Sequence, residues 1–160
     1  KIINKKNNIR FWIIGDIDTN NPASLTLNDI DNIKKKSNVK FFGYRKNISK
    51  IYSLANIAVL PSYREGFPKS LIEASACGRP IITTDVPGCR DAIINNKTGL
   101  LVNVKNSLDL SLAIKKLIDD RDLRVEMGKQ ARLHAEKNFD ISKVVKQHVN
   151  IYSQYKYKYK

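Results

Sequence analysis

Two glutamates, Glu65 and Glu73, lie eight residues apart around a predicted helix start. A carboxylate can accept hydrogen bonds from two hydroxyls at once, which suits a sugar ring or a ribose diol. Between them, Gly66 allows the backbone to approach a ligand closely, and Pro68 suits the first turn of a helix. The amides of that turn could bind a phosphate or diphosphate, because a helix N-terminus presents unpaired N–H groups and partial positive charge. Spacing alone still favours a plainer interpretation, in which Glu65 complements the helix dipole and Glu73 is solvated.

Other residues that could do chemistry have alternative interpretations. Arg64 and Lys69 flank the glutamates and could bind phosphate, although a solvated role fits them equally well. The Val86-Pro87-Gly88 sequence predicts a turn that either borders a ligand or is purely structural. Asp91 is expected at the start of a short helix, where capping the helix or stabilising a loop is favoured over a catalytic role. Cys77 and Cys89 are predicted to be small buried residues and not nucleophiles. For His148, packing in the core or at the surface is predicted.

Short apolar runs alternate with helical patterns, which is typical of an α/β domain with a parallel sheet. Five strands are predicted, over residues 10–15, 39–43, 57–60, 80–84 and 99–102. Residues 57–60 are apolar on both faces, as expected of a central parallel strand. Ser107 and Asp140 are predicted N-caps of late helices. Helices are predicted over 25–36 and 47–55, from Pro68 to a left-handed Gly78, and consecutively over 107–119, 121–137 and 140–154.

This order of elements gives the glutamates a defined place. The segment from Pro61 to Pro80 runs from a strand end through a loop and a helix to a glycine and the next strand. In a parallel α/β sheet, ligands bind beyond the C-terminal ends of strands, where the following helices begin. The sequence therefore predicts a site at the C-terminal edge of the sheet.

The net charge of +14 is concentrated at the two ends of the chain. Residues 1–64 contain 12 basic and 4 acidic side chains, residues 141–160 contain 5 and none, and residues 65–140 contain 12 and 11. A solvated Lys-rich surface is the favoured interpretation, with weak attraction to nucleic acid or an anionic membrane as the alternative. No apolar run approaches the roughly 18–20 residues of a membrane span, and no secretory signal is visible. Two cysteines without a metal-type pair favour a reduced, cytosolic chain.

Several spaced motifs occur in an order that resembles one protein family. The run PSYREGFPKSLIEASACGRPIITTDVPGCRDAI, with NNKTGLLV after it and VKFFGYRKNISKIYSLANIAVLPS before it, closely resembles the C-terminal domain of retaining glycosyltransferase family 4, the glycosyl transferases group 1. The resemblance covers about residues 10–154 and includes the family's Glu-x7-Glu signature. Members are two-domain GT-B enzymes. The resemblance implies a Rossmann-like parallel sheet flanked by helices, ending in about three consecutive helices.

The resemblance also assigns roles to individual residues. It implies that Glu73 holds the ribose hydroxyls of a nucleotide. It places Glu65 beside the transferred sugar, as the catalytic residue of the site. Tyr44 and Arg45 correspond to positions that flank the nucleobase, and Gly88 to a turn that borders the donor. The backbone implied to contact the donor sugar and diphosphate comprises Gly66, Phe67, Pro68, Lys69, Ser70 and Leu71.

The activity implied by the resemblance is transfer of a hexose or N-acetylhexosamine from a nucleotide-sugar, a UDP-sugar, with retention of configuration. The implied acceptor is a glycan or a polyprenyl-linked sugar in bacterial capsule or lipopolysaccharide synthesis. Front-face, ion-pair-like transfer is the expected mechanism, with a covalent intermediate on Glu65 as the alternative. No DxD-type motif is visible, so metal independence and no cofactor are expected. The expected location is cytoplasmic, with peripheral contact at the inner face of the cytoplasmic membrane.

Residues 1–154 are interpreted as the donor-binding domain, and residues 155–160 as a frayed basic tail. Relatives in this family begin the domain with another strand and a loop whose Arg and Lys stabilise the leaving diphosphate. No equivalent precedes Arg10, and the N-terminal acceptor domain is not in the sequence. We therefore expect the isolated chain to have little or no transferase activity.

Three other functions are alternatives to transfer. A truncated, non-catalytic module that binds sugar nucleotides or another protein remains open. A specific nucleic-acid-binding domain is disfavoured, because the expected motifs are missing and aromatic residues are interleaved with basic ones only in the last six positions. A nicotinamide-binding fold is excluded because no G-x-G-x-x-G follows any predicted strand.

Overall fold

The computed structural model describes residues 9–17 and 24–156. They form two compact units, of which the first ends at Ile48 and the second begins at Ser49. Every strand pairing within these units is parallel. The predicted fold class, an α/β arrangement of parallel strands flanked by helices, is confirmed. The predicted sheet occurs as two sheets, with two strands in the first unit and three in the second.

The first unit consists of β1 (Phe11–Ile14), α1 (Leu27–Lys34) and β2 (Val39–Gly43). The predicted strands lie within one residue of the observed ones. Helix α1 is shorter than predicted because Thr26 caps its start: the Thr26 hydroxyl accepts from the Asp29 amide, and the Asp29 side chain accepts from the Thr26 amide. This reciprocal capping box satisfies two amide groups that the helix itself cannot.

The second unit contains two parts, a sheet with its covering helices and a run of three helices. Its elements are α2 (Ile48–Leu54), β3 (Ala58–Leu60), α3 (Lys69–Ala76), β4 (Ile81–Thr84), α4 (Pro87–Ala92), β5 (Gly99–Val102), α5 (Ser107–Asp119), α6 (Arg121–Asn138) and α7 (Ile141–Lys156). The first residue of α2 belongs to the first unit. The predicted sequence of three closing helices is confirmed.

Strand β4 is the centre of the three-stranded sheet, which has the order β3-β4-β5. All four residues of β4 are buried, as its apolar IITT sequence allows. The prediction that residues 57–60 form a central strand is wrong for this sheet, because β3 lies at its edge and Val59 is exposed. Two buried clusters centred on Ile81 and Ile82 of β4 form the core.

Close glycine packing fixes α3 against α6. Gly78 ends α3 in the left-handed conformation (φ +66°), as predicted. A Cβ added to Gly128 of α6 would lie 2.5 Å from the Gly78 carbonyl oxygen, so only glycine permits this approach. The Arg132 guanidinium of α6 also donates to the Ala76 carbonyl at the end of α3. The helix that carries Glu73 is therefore held firmly at its C-terminal end.

Several predicted helix ends need correction. Asn106, and not Ser107, caps α5, since its side chain accepts from the Asp109 amide. Asp140 does accept from the Ser142 amide (2.8 Å) at the start of α7, as expected of a cap. The tail predicted to fray from residue 155 continues α7 to Lys156, and the predicted tail beyond it lies outside the described residues. The described helices lack the length and apolar content that crossing a bilayer would require.

Candidate functional site

The site begins where β3 ends, and the neighbouring strand fixes that exit. The Thr83 hydroxyl of β4 donates to the Leu60 carbonyl (2.8 Å), and the Thr84 hydroxyl donates to the Ser62 carbonyl. Both threonines are buried at the C-terminal end of β4. They hold the first residues of the loop that leads to Glu65, which is half-buried.

Gly88 supports this loop from the opposite side. A Cβ added to Gly88 would lie 1.9 Å from the Gly66 carbonyl oxygen and 2.7 Å from that of Glu65. The residue is buried in the first turn of α4, which begins at Pro87 with Val86 at the N-cap position. The predicted turn over 86–88 is therefore wrong, because Pro87 and Gly88 belong to a helix and Val86 is extended. Its glycine is required by the contact with the loop backbone.

The backbone at Gly66 is open on its other side. A Cβ added to Gly66 would meet no atom within 4 Å, although Gly66 itself touches Gly88 through its carbonyl group. Pro68 occupies the N-cap position of α3, one place earlier than predicted, and makes no side-chain capping bond. The Leu71 amide donates to the Pro68 carbonyl (3.1 Å). No side chain caps the amides of Lys69 and Ser70. A helix start of this kind suits an anion.

Glu73 lies one turn further along α3 and remains accessible. Its side chain is 35% exposed and pairs with Lys69, whose ammonium nitrogen lies 3.6 Å from Glu73 Oε1. Lys69 is 87% exposed, so the pair contributes little to stability. The opposite face of α3 is buried, with Leu71 and Ala74 in the core. Glu73 is thus presented towards solvent on a well-anchored helix.

Phe67 connects the loop to the end of α6. Its ring is half exposed and meets Phe139 edge-to-face, with 5.5 Å between the ring centroids. Phe139 in turn meets His134 edge-to-face at 5.1 Å. Burial, followed by the positive charges of Lys137 and Lys97, lowers the pKa of His134. The imidazole is therefore kept neutral within an aromatic cluster.

Tyr44 and Arg45 lie in the first unit, directly after β2. The Tyr44 amide donates to Asp16 Oδ1 (3.0 Å), and its side chain is largely exposed. The Arg45 guanidinium lies 5.9 Å from the centroid of the Phe42 ring. Their predicted role beside a nucleobase stays a prediction.

The structure also places the other candidate residues from the sequence, Asp91, Cys77, Cys89 and His148. Asp91 is exposed in the last turn of α4, so the prediction that it starts a short helix is wrong. Cys89 is fully buried, as predicted, and Cys77 is partly buried. His148 is exposed on α7, where its Nδ1 lies 2.8 Å from the Val144 carbonyl oxygen. Within the part of the chain that the structure describes, no three His, Cys, Asp or Glu side chains form a group that could hold a metal ion.

Sequence reasoning missed the contacts that hold the site together. Tyr52 donates to the Ser70 carbonyl, and Phe139 packs on Phe67. Tyr52 lies within the predicted helix over 47–55, but nothing in the sequence indicates its partner, and Phe139 gives no signal. The Gly88 contact was equally hidden, since its partner is a backbone carbonyl 22 residues away.

Comparison with known proteins shows which family the chain resembles. The family model described as glycosyl transferases group 1 matches residues 1–134. A Campylobacter jejuni protein named N,N'-diacetylbacillosaminyl-diphospho-undecaprenol alpha-1,3-N-acetylgalactosaminyltransferase is 34% identical over 149 residues, which are 93% of this chain and 38% of that protein. The chain thus spans well under half the length of this relative.

Solved structures agree with the sequence comparison. Sucrose-phosphate synthase from Thermosynechococcus elongatus matches with a TM-score of 0.82 and 28% identity, over 91% of this chain and 38% of that one. A variant of TarM from S. aureus, solved with fondaparinux, alpha-GlcNAc-glycerol and UDP, matches with a TM-score of 0.79 and 26% identity, over 93% and 30% of the two chains. Together with a family match over most of its length, these similarities show that the chain belongs to the glycosyl transferases group 1 and has the fold of GT-B glycosyltransferases.

Proposed function

We propose that this chain binds the nucleotide-sugar donor of a retaining glycosyltransferase that extends a glycan or a lipid-linked acceptor. The observation that carries the proposal is the open backbone at Gly66, supported by Gly88 and followed directly by the uncapped start of α3. The UDP in the TarM structure supports a uridine nucleotide. The name of the C. jejuni relative supports N-acetylhexosamine transfer to a polyprenyl-diphosphate-linked sugar.

The donor would bind along α3, from its start towards Glu73. The diphosphate would accept hydrogen bonds from the amides of Lys69 and Ser70, where the partial positive charge of the helix lies. Glu73, one helical turn further on, would accept hydrogen bonds from the ribose hydroxyls. Glu65, on the other side of the helix start, would accept hydrogen bonds from the transferred sugar. Each carboxylate thus accepts hydrogen bonds from a diol, and the two glutamates do not form an acid/base couple.

Transfer would proceed on one face of the sugar. The bond between the anomeric carbon and the diphosphate oxygen breaks, and a bond to the acceptor oxygen forms on the same face. The acceptor proton passes to the departing phosphate oxygen. Glu65 would stabilise the positive charge that develops on the sugar, because a fixed carboxylate acts most strongly where water is excluded. We propose metal-independent transfer, in which the amides at the start of α3 balance part of the negative charge of the diphosphate.

Glu65→Gln separates recognition of the sugar from recognition of the nucleotide. We expect the dissociation constant for UDP-N-acetylglucosamine to rise about 10-fold, since a hydrogen bond to a charged group contributes about 1.5–3 kcal/mol. The dissociation constant for UDP should change less than about twofold, because UDP has no sugar for Glu65 to contact. Isothermal titration calorimetry of both ligands with the purified chain measures the two effects.

Glu126→Gln is the matched control, since Glu126 is an exposed glutamate on α6 that bonds only to Gln130 in the described contacts. It should change neither dissociation constant. Equal weakening of UDP and of the UDP-sugar by Glu65→Gln would contradict the assignment of Glu65 to the sugar. Failure of the unaltered chain to bind either ligand would overturn the proposed function.

A further inference from the structure

Helix α3 depends on its neighbours for its position. It has eight residues, and isolated helices shorter than about 12–15 residues are marginal in water. Its buried face packs in the core through Leu71 and Ala74. The orientation of its first turn, which the proposed function assigns to the diphosphate, is therefore set by tertiary contacts.

The C-terminal end of α3 is held by several side chains. The Cys77 thiol lies 3.9 Å from the Ser49 carbonyl oxygen of α2, and the Arg79 guanidinium donates to the Ala55 carbonyl (2.7 Å) just after α2. The Arg132 guanidinium of α6 donates to Ala76. These contacts fix the end of the helix, but they lie two turns away from its start.

The first turn has its own anchor in Tyr52 of α2. The Tyr52 hydroxyl donates to the Ser70 carbonyl oxygen over 3.0 Å. Its ring packs against the buried cluster that includes Leu71 and Ala74. Burial, followed by the negative charge of Glu73, raises the pKa of Tyr52 to about 12. The hydroxyl therefore stays protonated and remains a hydrogen-bond donor at any pH near neutrality.

We propose that Tyr52 is a positioning residue of the donor site, which holds the first turn of α3 so that its amides meet the diphosphate. This inference rests on the proposed function. Tyr52 itself does not touch the donor. Its hydroxyl donates a hydrogen bond to the Ser70 carbonyl, which lies in the same turn as the amides of Lys69 and Ser70. A shift of that carbonyl would move those amides with it. The effect of losing the hydroxyl should therefore fall on the phosphates more than on the nucleoside.

Tyr52→Phe tests this proposal, because phenylalanine keeps the ring that packs in the core and removes only the donor. We expect the dissociation constant for UDP to rise about 5-fold, the effect of one neutral hydrogen bond. The dissociation constant for UMP, which lacks the second phosphate, should rise less than about twofold. Titrations of the purified chain with UDP and UMP, followed by NMR, give both constants. Tyr152→Phe is the matched control, since Tyr152 is exposed on α7.

The outcomes separate the proposal from the function on which it rests. Preferential loss of UDP affinity, with the control unchanged, would support the positioning role. Equal losses for UMP and UDP would indicate a purely structural role for Tyr52 and overturn the proposal, as would no loss for either. If the unaltered chain bound neither nucleotide, the proposed function itself would fail and this inference with it.

Discussion

Replacing Glu73 with alanine is expected to weaken UDP binding about 10- to 100-fold, because hydrogen bonds to a charged group contribute about 1.5–3 kcal/mol. The carboxylate is the accessible acceptor one turn along α3 from the uncapped helix start. The buried face of the helix holds it in place, and the α3 sequence, KSLIEASA, contains no other carboxylate. The measurement is isothermal titration calorimetry of the purified chain with UDP.

Two controls determine whether the loss belongs to the ribose contact. Glu126→Ala removes an exposed glutamate from α6 and should leave UDP affinity unchanged. Lys69→Met removes the ion pair with Glu73 while keeping its carboxylate. Since the Lys69 side chain is 87% exposed, this change should weaken UDP binding far less than Glu73→Ala. If Glu73→Ala bound UDP as tightly as the unaltered chain, the assignment of Glu73 to the nucleotide would be wrong.

Gly88→Ala is expected to lower both the stability of the chain and its affinity for UDP. The added methyl group would lie 1.9 Å from the Gly66 carbonyl oxygen, and its other near neighbour is the Glu65 carbonyl. Both are backbone atoms, so neither can rotate away as a flexible side chain would. Overpacking of this kind costs about 1–3 kcal/mol, and here the loop that carries Glu65 must move to relieve it. A displaced loop should reduce UDP affinity about 10-fold, which corresponds to about 1.4 kcal/mol.

Gly66→Ala supplies the matched control for the stability effect. Its added methyl group would meet no atom within 4 Å, so the same chemical change should leave the melting temperature nearly unaltered. Thermal denaturation followed by circular dichroism measures both variants. A Gly88→Ala variant as stable as the unaltered chain would contradict the close contact between α4 and the loop.

Much of the fold could be predicted from local sequence patterns. Strand β4 was predicted from an apolar run bounded by Pro80, and the end of α3 from Gly78, because each signal is contained within a few residues. Helix ends that depend on one particular side chain are harder to predict. Asn106 and Ser107 both favour caps, and only the bond to the Asp109 amide decides between them.

The site could be predicted only in part. The positions of Glu65, Gly66 and the α3 start follow from chain order, since strand ends and helix starts share one edge of a parallel sheet. The placement of β3 at an edge was not predicted, because an apolar run does not specify its neighbours in the sheet. The sequence predicts a turn at Gly88 because Pro-Gly favours turns. Its contact with Gly66 is a tertiary feature that no local pattern indicates. Tyr52 was hidden for the same reason.

Binding of a nucleotide diphosphate by the start of α3 and Glu73 can be observed residue by residue by NMR. Uniformly ¹⁵N-labelled chain would be titrated with UDP at physiological salt, and backbone amide shifts followed residue by residue. We predict saturable shifts concentrated on the amides of Gly66, Phe67, Lys69, Ser70, Leu71 and Glu73, with little change at the Lys-rich ends of the chain. Shifts confined to those basic ends and lost as salt is raised would indicate nonspecific attraction, and would contradict the account.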